Sequence, residues 1–454
     1  MPLPSICFAA VVSLLMLCGC AGPEGSAPPF VHGALRVSPD GRYLMHEDGT
    51  PFLYLGDTAW QLFHRLDSAE TVSYFEDRRK KGFNVIQACI LAELDGLETP
   101  NRRGDCPLAG NDPTAPNEAY FAWVDTVIRM AARHGLYVGL LPTWGDKVNR
   151  KWGVGPECFD SENAFAYGRF LGRRYKDFPN IIWINGGDRP GHEKTEVWDA
   201  LAAGIKREDS LHLMTFHPSG EASSGMCFHD RGWLDFNMFQ SGHAQTDYAI
   251  YERLLLPDYR RSPAKPVLDG EPRYEDIPIR FKAENGRFTD ADVRQTLYWS
   301  LFSGACGYTY GANDVWQFHT PGRKPMCDAR SHWRDALQLP GSSQIIHARR
   351  LTERVDWPNR IAAPGMILDR QTDQADRALA VRGAGYAYVY FPNGNPLSVS
   401  LSEIPDARKL KLAWYDPRCG TQRAIGRFEA VGTYRAVPPS SGKGNDWILI
   451  MKSC

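Results

Sequence analysis

The sequence lacks the marks of several protein classes. Its formal net charge is only −1, so no bulk attraction draws it to nucleic acid or to an acidic membrane surface. Its eleven cysteines include no CxxC pair, which argues against a structural zinc site. Where a Gly-rich phosphate loop would follow the first strand-like run, the chain reads "GDTAWQLF" rather than GxGxxG. It has no GxSxG elbow and no HExxH helix, so the serine-hydrolase and zincin readings fall away. Internal repeats and low-complexity tracts are also absent.

What is present is a 454-residue chain, long enough for a large core and more than one domain. Aromatics are plentiful at 12%, with 13 Trp. Flat rings suit the apolar faces of sugars, though they fill cores equally well. The N-terminus, "ICFAAVVSLLMLCGCAGPEG", is an apolar run too short to span a membrane comfortably, and it reads as a secretion signal. Leu17-Cys18-Gly19-Cys20 has the form of a lipobox, with cleavage before Cys20 and lipid on its thiol. The n-region carries no Lys or Arg, and a plain signal peptide cut nearby is the alternative. The expected division is a signal over 1–20, a tether over 21–32, a barrel over 33–355 and a β domain over 358–454. The protein would then be an exported bacterial lipoprotein of the cell envelope, touching membrane only through its anchor.

From about residue 51 apolar strand-like runs alternate with helix-like segments. The strands are expected at 52–59, 84–91, 137–144, 181–188, 213–218, 236–242, 266–272 and 307–311. The helices are expected at 68–82, with a Ser cap, then 117–135, 161–177, 195–208, 246–256, 289–305 and 341–354. Eight continuously apolar strands alternating with helices describe a parallel (β/α)8 barrel buried on both faces. After about residue 358 short β-rich runs separated by Gly, Pro, Asn and Asp predict a small antiparallel β-sandwich.

Active sites of such barrels lie at the C-terminal ends of the strands. Candidates collected by that rule are Asp57 and Trp60, then Gln87 with Glu93, then Trp144 and Lys147. Asp188 and Arg189, His217, Gln240 and His243, Glu271 and Arg273, and Tyr310 and Trp316 complete the rim. Carboxyls and tryptophans without a cofactor motif point to glycoside hydrolysis, which needs one protonated and one ionised carboxyl. Asp188 is assigned as acid/base and Glu271 as nucleophile, on strands that approach from different sides. Gly186, Gly187 and Gly270 would let a bulky sugar near the backbone. Asp269 is the alternative nucleophile, and Asp57 reads more readily as a cap or an orienting group. The two histidines have no evident third metal ligand and are read as partners of acids or sugar hydroxyls. No cofactor or metal is expected.

The stretches "YLGDTAWQLFHRL", "KGFNVIQACILAELDGL", "GLLPTWGDKV", "WINGGDRP", "FNMFQSGH", "LDGEPRYED" and "GACGYTYG" together resemble the apiosidase-like glycoside hydrolases, family 140, over about residues 33–350. Residues 358–454 are similar to a C-terminal domain named for collagen binding. The resemblance implies an endo-apiosidase that cuts the apiose–galacturonate linkage of rhamnogalacturonan II side chains, with Asp188 and Glu271 as the catalytic pair. Clan A enzymes place a Glu after Asn, whereas here Asp188 follows Asn185-Gly-Gly; retention of configuration is the expectation. Lys147, Arg189 and Arg273 would pair with galacturonate carboxylates, or else neutralise nearby acids.

Overall fold

The computed structural model describes residues 29–454, so the expected signal, Cys20 and most of the expected tether lie outside the described residues. A small antiparallel sheet, Leu35–Val37, Leu44–His46 and Pro51–Phe52, precedes the barrel and has no counterpart in the sequence reading. Its Leu44 and Phe52 share a core with Tyr54 and Tyr137, so the sheet plugs the N-terminal mouth.

Eight strands follow: β1 Tyr54–Thr58, β2 Val85–Leu91, β3 Tyr137–Thr143, β4 Ile181–Arg189, β5 Met214–Pro218, β6 Asn237–Gln240, β7 Val267–Asp269 and β8 Gly307–Tyr310. Ladders run in parallel from β1 through β5, from β1 to β8, and on to β7 and β6. The seam between β5 and β6 is joined without a ladder. There Asp235 N–H donates to Met214 O at 2.8 Å, and Thr215 Oγ1 donates to Phe236 O at 2.7 Å. A ninth short strand, Ala222–Ser223, runs antiparallel beside β6.

Residues alternate between two cores. Tyr54, Val85, Leu141, Ile184 and Leu268 fill the barrel interior, while Leu55, Ile86, Leu140, Trp183 and Val267 face the helices. Trp183 is therefore an outward core residue, with its indole N–H on Asp209 Oδ2 at 2.8 Å. Two helices differ from expectation. The cap of Ser68–Lys80 is Asp67, not Ser68: its carboxylate accepts Glu70 N–H at 2.9 Å and the Glu70 carboxylate accepts Asp67 N–H at 3.1 Å. The segment 246–256 forms two short helices, Ala249–Arg253 and Leu255–Tyr259. Pro257 has no N–H to return to the carbonyl four residues back, so the first helix cannot continue through it.

The C-terminal domain is a six-stranded antiparallel sheet accompanied by the two-stranded pair Leu397–Ser400 and Thr433–Ala436. Leu412, Leu449 and Met451 form its own core. Tyr388, Tyr390 and Ile450 instead join the core of the barrel helices.

Candidate active site

Strand β4 ends on Gly186, Gly187 and Asp188, with φ of 87°, 129° and 53°. All three lie in the left-handed half of backbone space, which favours glycine and strains aspartate. A β-carbon on Gly186 would sit 2.5 Å from His217 O, and one on Gly187 would sit 2.9 Å from Gly145 N. On Gly270 it would meet Met238 Sδ at 2.4 Å. These glycines therefore permit backbone close-packing and do not clear room for a sugar, which corrects the sequence reading. The bend they make turns Asp188 off the strand and towards the centre of the rim.

There His217 joins the main chain of Asp188 to the carboxylate of Glu271. Asp188 N–H donates to His217 Nδ1 at 3.2 Å, which leaves the ring proton on Nε2. That Nε2 lies 2.9 Å from Glu271 Oε2. His243 Nε2 lies 3.1 Å from the other oxygen, Oε1. The Glu271 main chain is held from both sides: Gln87 Nε2 donates to Gly270 O at 3.0 Å, and Gly242 N–H donates to Glu271 O at 3.0 Å. Trp60 and Trp144 pack 5.1 Å apart, centroid to centroid, and both rest against the His217 ring.

The two carboxyls are driven apart in acidity. Burial alone would raise Glu271, but bonds from His217 and His243 bring it down to about 2. Burial, and then the charge of Glu271, push Asp188 up to about 6. One group is thus an anion and the other a proton carrier across the acidic range, the division that glycosidic chemistry requires. Glu93 is a third carboxyl in the same field. Burial, followed by Asp146, Asp188 and Glu271, holds it well above the usual range.

Two site neighbours are not among the residues assigned from the sequence. Trp152, in the loop after β3, is 43% exposed and donates its indole N–H to Asp188 Oδ2 at 2.6 Å. Its only sequence signal is a tryptophan in the polar, Gly-rich run "NRKWGVG" on the active face. The Tyr274 ring packs 4.5 Å from His243, and the Glu271 charge, after burial, raises its hydroxyl.

Several assigned substrate contacts are not on the rim. Asp57 points outwards to the Tyr74 hydroxyl and to Arg78 Nε at 3.5 Å, fully buried beneath a helix. Tyr310 also points outwards, its hydroxyl donating to Glu275 Oε2 at 2.6 Å. Gln87 lies mid-strand inside the barrel, since β2 continues to Leu91, and it acts on the Gly270 carbonyl. Two of the three cations proposed for galacturonate, Lys147 and Arg189, are engaged by protein oxygens. Lys147 is completely buried on Asp146 at 2.8 Å. Arg189 donates to the carbonyls of Asn149, Trp152 and Asp188, stapling the Trp152 loop to the acid. Arg273 is held on Gln245 O at 3.0 Å and Gln295 Oε1 at 2.8 Å, but it makes no ion pair among the described residues and its buried Nη2 has no partner. Asp269, the alternative nucleophile, ends β7 facing Ser241 and Tyr251 in the helix layer; the chain turns at Gly270, so Glu271 faces elsewhere. Gln240 remains at the end of β6 with a buried, unpartnered Oε1, and Trp316 lies near the rim at 6% exposure.

A parallel barrel with one ionised and one protonated carboxyl at its C-terminal rim is the framework of a glycoside hydrolase. Comparison with known proteins narrows that class. Residues 38–359 match the model of the apiosidase-like catalytic domain, and the chain belongs to that family. Residues 361–452 match a domain family named for the collagen-binding domain of a collagenase. A solved glycoside hydrolase is 37% identical, with 94% of this chain and 99% of that one covered and a TM-score of 0.87. A glycoside hydrolase family 5 structure from Bacteroides vulgatus is also 37% identical, covering 94% of each chain at a TM-score of 0.87. A second glycoside hydrolase from that organism, 15% identical with a TM-score of 0.66 over 93% of this chain and 83% of that one, shares the fold. No curated protein matches.

Proposed function

We propose that the protein is an endo-apiosidase that cleaves the apiose–galacturonate linkage of rhamnogalacturonan II side chains. In this reading Asp188 protonates the leaving oxygen and Glu271 attacks the anomeric carbon. Asp188, by then a carboxylate, takes a proton from the water that releases the glycosyl enzyme, so configuration is retained. The observation that carries the reading is the opposed acidity of Asp188 and Glu271 on either side of His217. The motifs shared with apiosidase-like enzymes support the substrate. A second reading, a β-linked glycan, draws on the solved relative titled as family 5.

The test is a screen of purified protein on rhamnogalacturonan II, arabinan and β-glucans, with Asp188→Asn and Glu271→Gln alongside. Apiose-terminated side chains should be released from the first polymer, and both variants should be folded and inactive. Turnover confined to β-glucans would favour the second reading, and full activity in either variant would remove the catalytic assignment. Export as a lipoprotein is a further part of the proposal. Cys20→Ser should abolish metabolic incorporation of labelled fatty acid, and unchanged labelling would contradict it.

A further inference from the structure

A second cluster of functional groups stands on the same rim, over the ends of β1 and β8. His64 and Arg65 lie in the short helix Leu62–Arg65 that follows β1. His319 and Arg323 lie in the segment that follows β8. The two arginines are seated side by side. Arg65 Nη1 donates to Gln317 O, and Arg323 Nη1 donates to the next carbonyl, Phe318 O, at 2.8 Å. Each guanidinium has five N–H donors, so most remain unassigned. Neither arginine makes an ion pair among the described residues.

The acids in the neighbourhood do not fill that role. Glu70 is engaged by Arg334 at 3.1 Å and Arg102 at 4.0 Å, and Asp67 by Arg102 at 3.7 Å. Asp314 accepts the N–H groups of Arg330 and Ser331. Glu93 acts on Arg65 through its charge but makes no ion pair with it, and burial beside Asp146, Asp188 and Glu271 raises it. Two half-buried like charges therefore oppose each other: burial, and then Arg323, bring Arg65 down to about 10. The flanking imidazoles are also incomplete. His64 and His319 are only 5% and 7% exposed, and each has a buried Nδ1 with no hydrogen-bond partner. Buried polar atoms without a partner and uncompensated cations are costly unless a ligand completes them.

We propose that Arg65, Arg323, His64 and His319 form an oxyanion subsite that takes the carboxylate of an acidic sugar residue of the bound polymer. The ligand identity rests on the pectic reading above. The cluster itself takes the place of Lys147 and Arg189, whose donors are spent on protein oxygens, as the source of charge recognition. Glu93 connects the two centres, since it feels Asp188 and Glu271 on one side and acts on Arg65 on the other. A forked guanidinium suits a planar carboxylate, and two together suit an anion better than a neutral hydroxyl.

The test is an NMR titration of the whole protein with D-galacturonic acid, D-galactose and inorganic phosphate in separate arms. Galacturonic acid should bind and galactose should not. Arg323→Gln, a loop substitution that removes one carbonyl contact, should weaken binding about tenfold or more. Arg65→Gln should do the same, while Arg79→Gln, on the far helix Ser68–Lys80 beside a cavity of about 600 Å³ at the N-terminal end of the barrel, should change nothing. Equal binding of galactose, or unaltered binding in both rim variants, overturns the subsite. Binding of phosphate without galacturonic acid overturns it in favour of a site for a free inorganic anion. These readouts need no turnover, so the subsite can survive failure of the apiosidase reading. Conversely, cleavage of rhamnogalacturonan II with an unchanged KM in Arg323→Gln overturns the subsite alone.

Discussion

A carboxyl acts as an acid only if its surroundings oppose ionisation, and Asp188 is balanced between opposing contacts. Burial and Glu271 favour its proton, while His217, the Trp152 indole and Arg189 favour its charge. With Asp188 at about 6 and Glu271 at about 2, kcat/KM should follow a bell whose limbs fall near those values. Below the lower limb the nucleophile is protonated; above the upper limb the acid has lost its proton. A plateau extending into the alkaline range would refute the pairing. Trp152→Phe keeps the ring and deletes the donor that stabilises ionised Asp188, so the alkaline limb should move to higher pH with the acid limb in place. The ring also stacks 4.4 Å from the Arg189 guanidinium, so Trp152→Ala should in addition loosen the loop and reduce kcat.

At the scale of the element, β4 shows how a strand end becomes a site. Gly187 at φ 129° allows the turn that presents Asp188, with Gly145 and Trp144 close behind. Gly187→Ala should cost about 2 kcal/mol in chemical denaturation and depress activity more than stability, because the acid is displaced along with the backbone. Unchanged stability would mean that the turn tolerates a side chain. The alternation of strands and helices was legible because parallel strands buried on both faces are continuous apolar runs, such as "VIQACIL" and "YVGLLPT". The facing of single residues was not. Adjacent positions on a strand alternate between the barrel interior and the helix layer, and nothing local tells Asp57 from Thr58 or Tyr310 from Thr309. Partners distant in sequence were equally hidden. Trp152 meets Asp188 across 36 residues and Gln87 meets Gly270 across 183. Asp188 and Glu271 stood out because each is a lone acid delivered by a strand end, on strands that approach the pocket from different sides.

Across the whole molecule the C-terminal sheet is docked on the barrel through polar and apolar contacts that a short linker alone would not impose. Tyr298 stacks on Tyr390 with centroids 5.1 Å apart, Tyr415 donates to His347 O at 2.7 Å, and the Trp299 indole donates to Arg377 O at 2.8 Å. At the centre of the interface Arg294, from the helix Asp290–Phe302, holds Asp446 at 2.7 Å, with both side chains only 2% exposed. A buried pair of this kind gives little net stability when intact, because desolvation offsets attraction, but breaking it leaves a charge stranded. Asp446→Asn should therefore lower unfolding stability by about 3 kcal/mol, the low end for a broken buried pair, since Asp290 still faces Arg294. Replacing both partners with apolar residues of similar size should restore much of that loss. The exposed pair Arg435–Asp369 provides the contrast, and Arg435→Gln should leave the transition nearly unchanged. If the sheet is a structural brace, Asp446→Asn should also split the thermal transition of the two domains while leaving the pH limbs of catalysis where they are. A variant with wild-type stability would show that the apolar contacts alone hold the domains together.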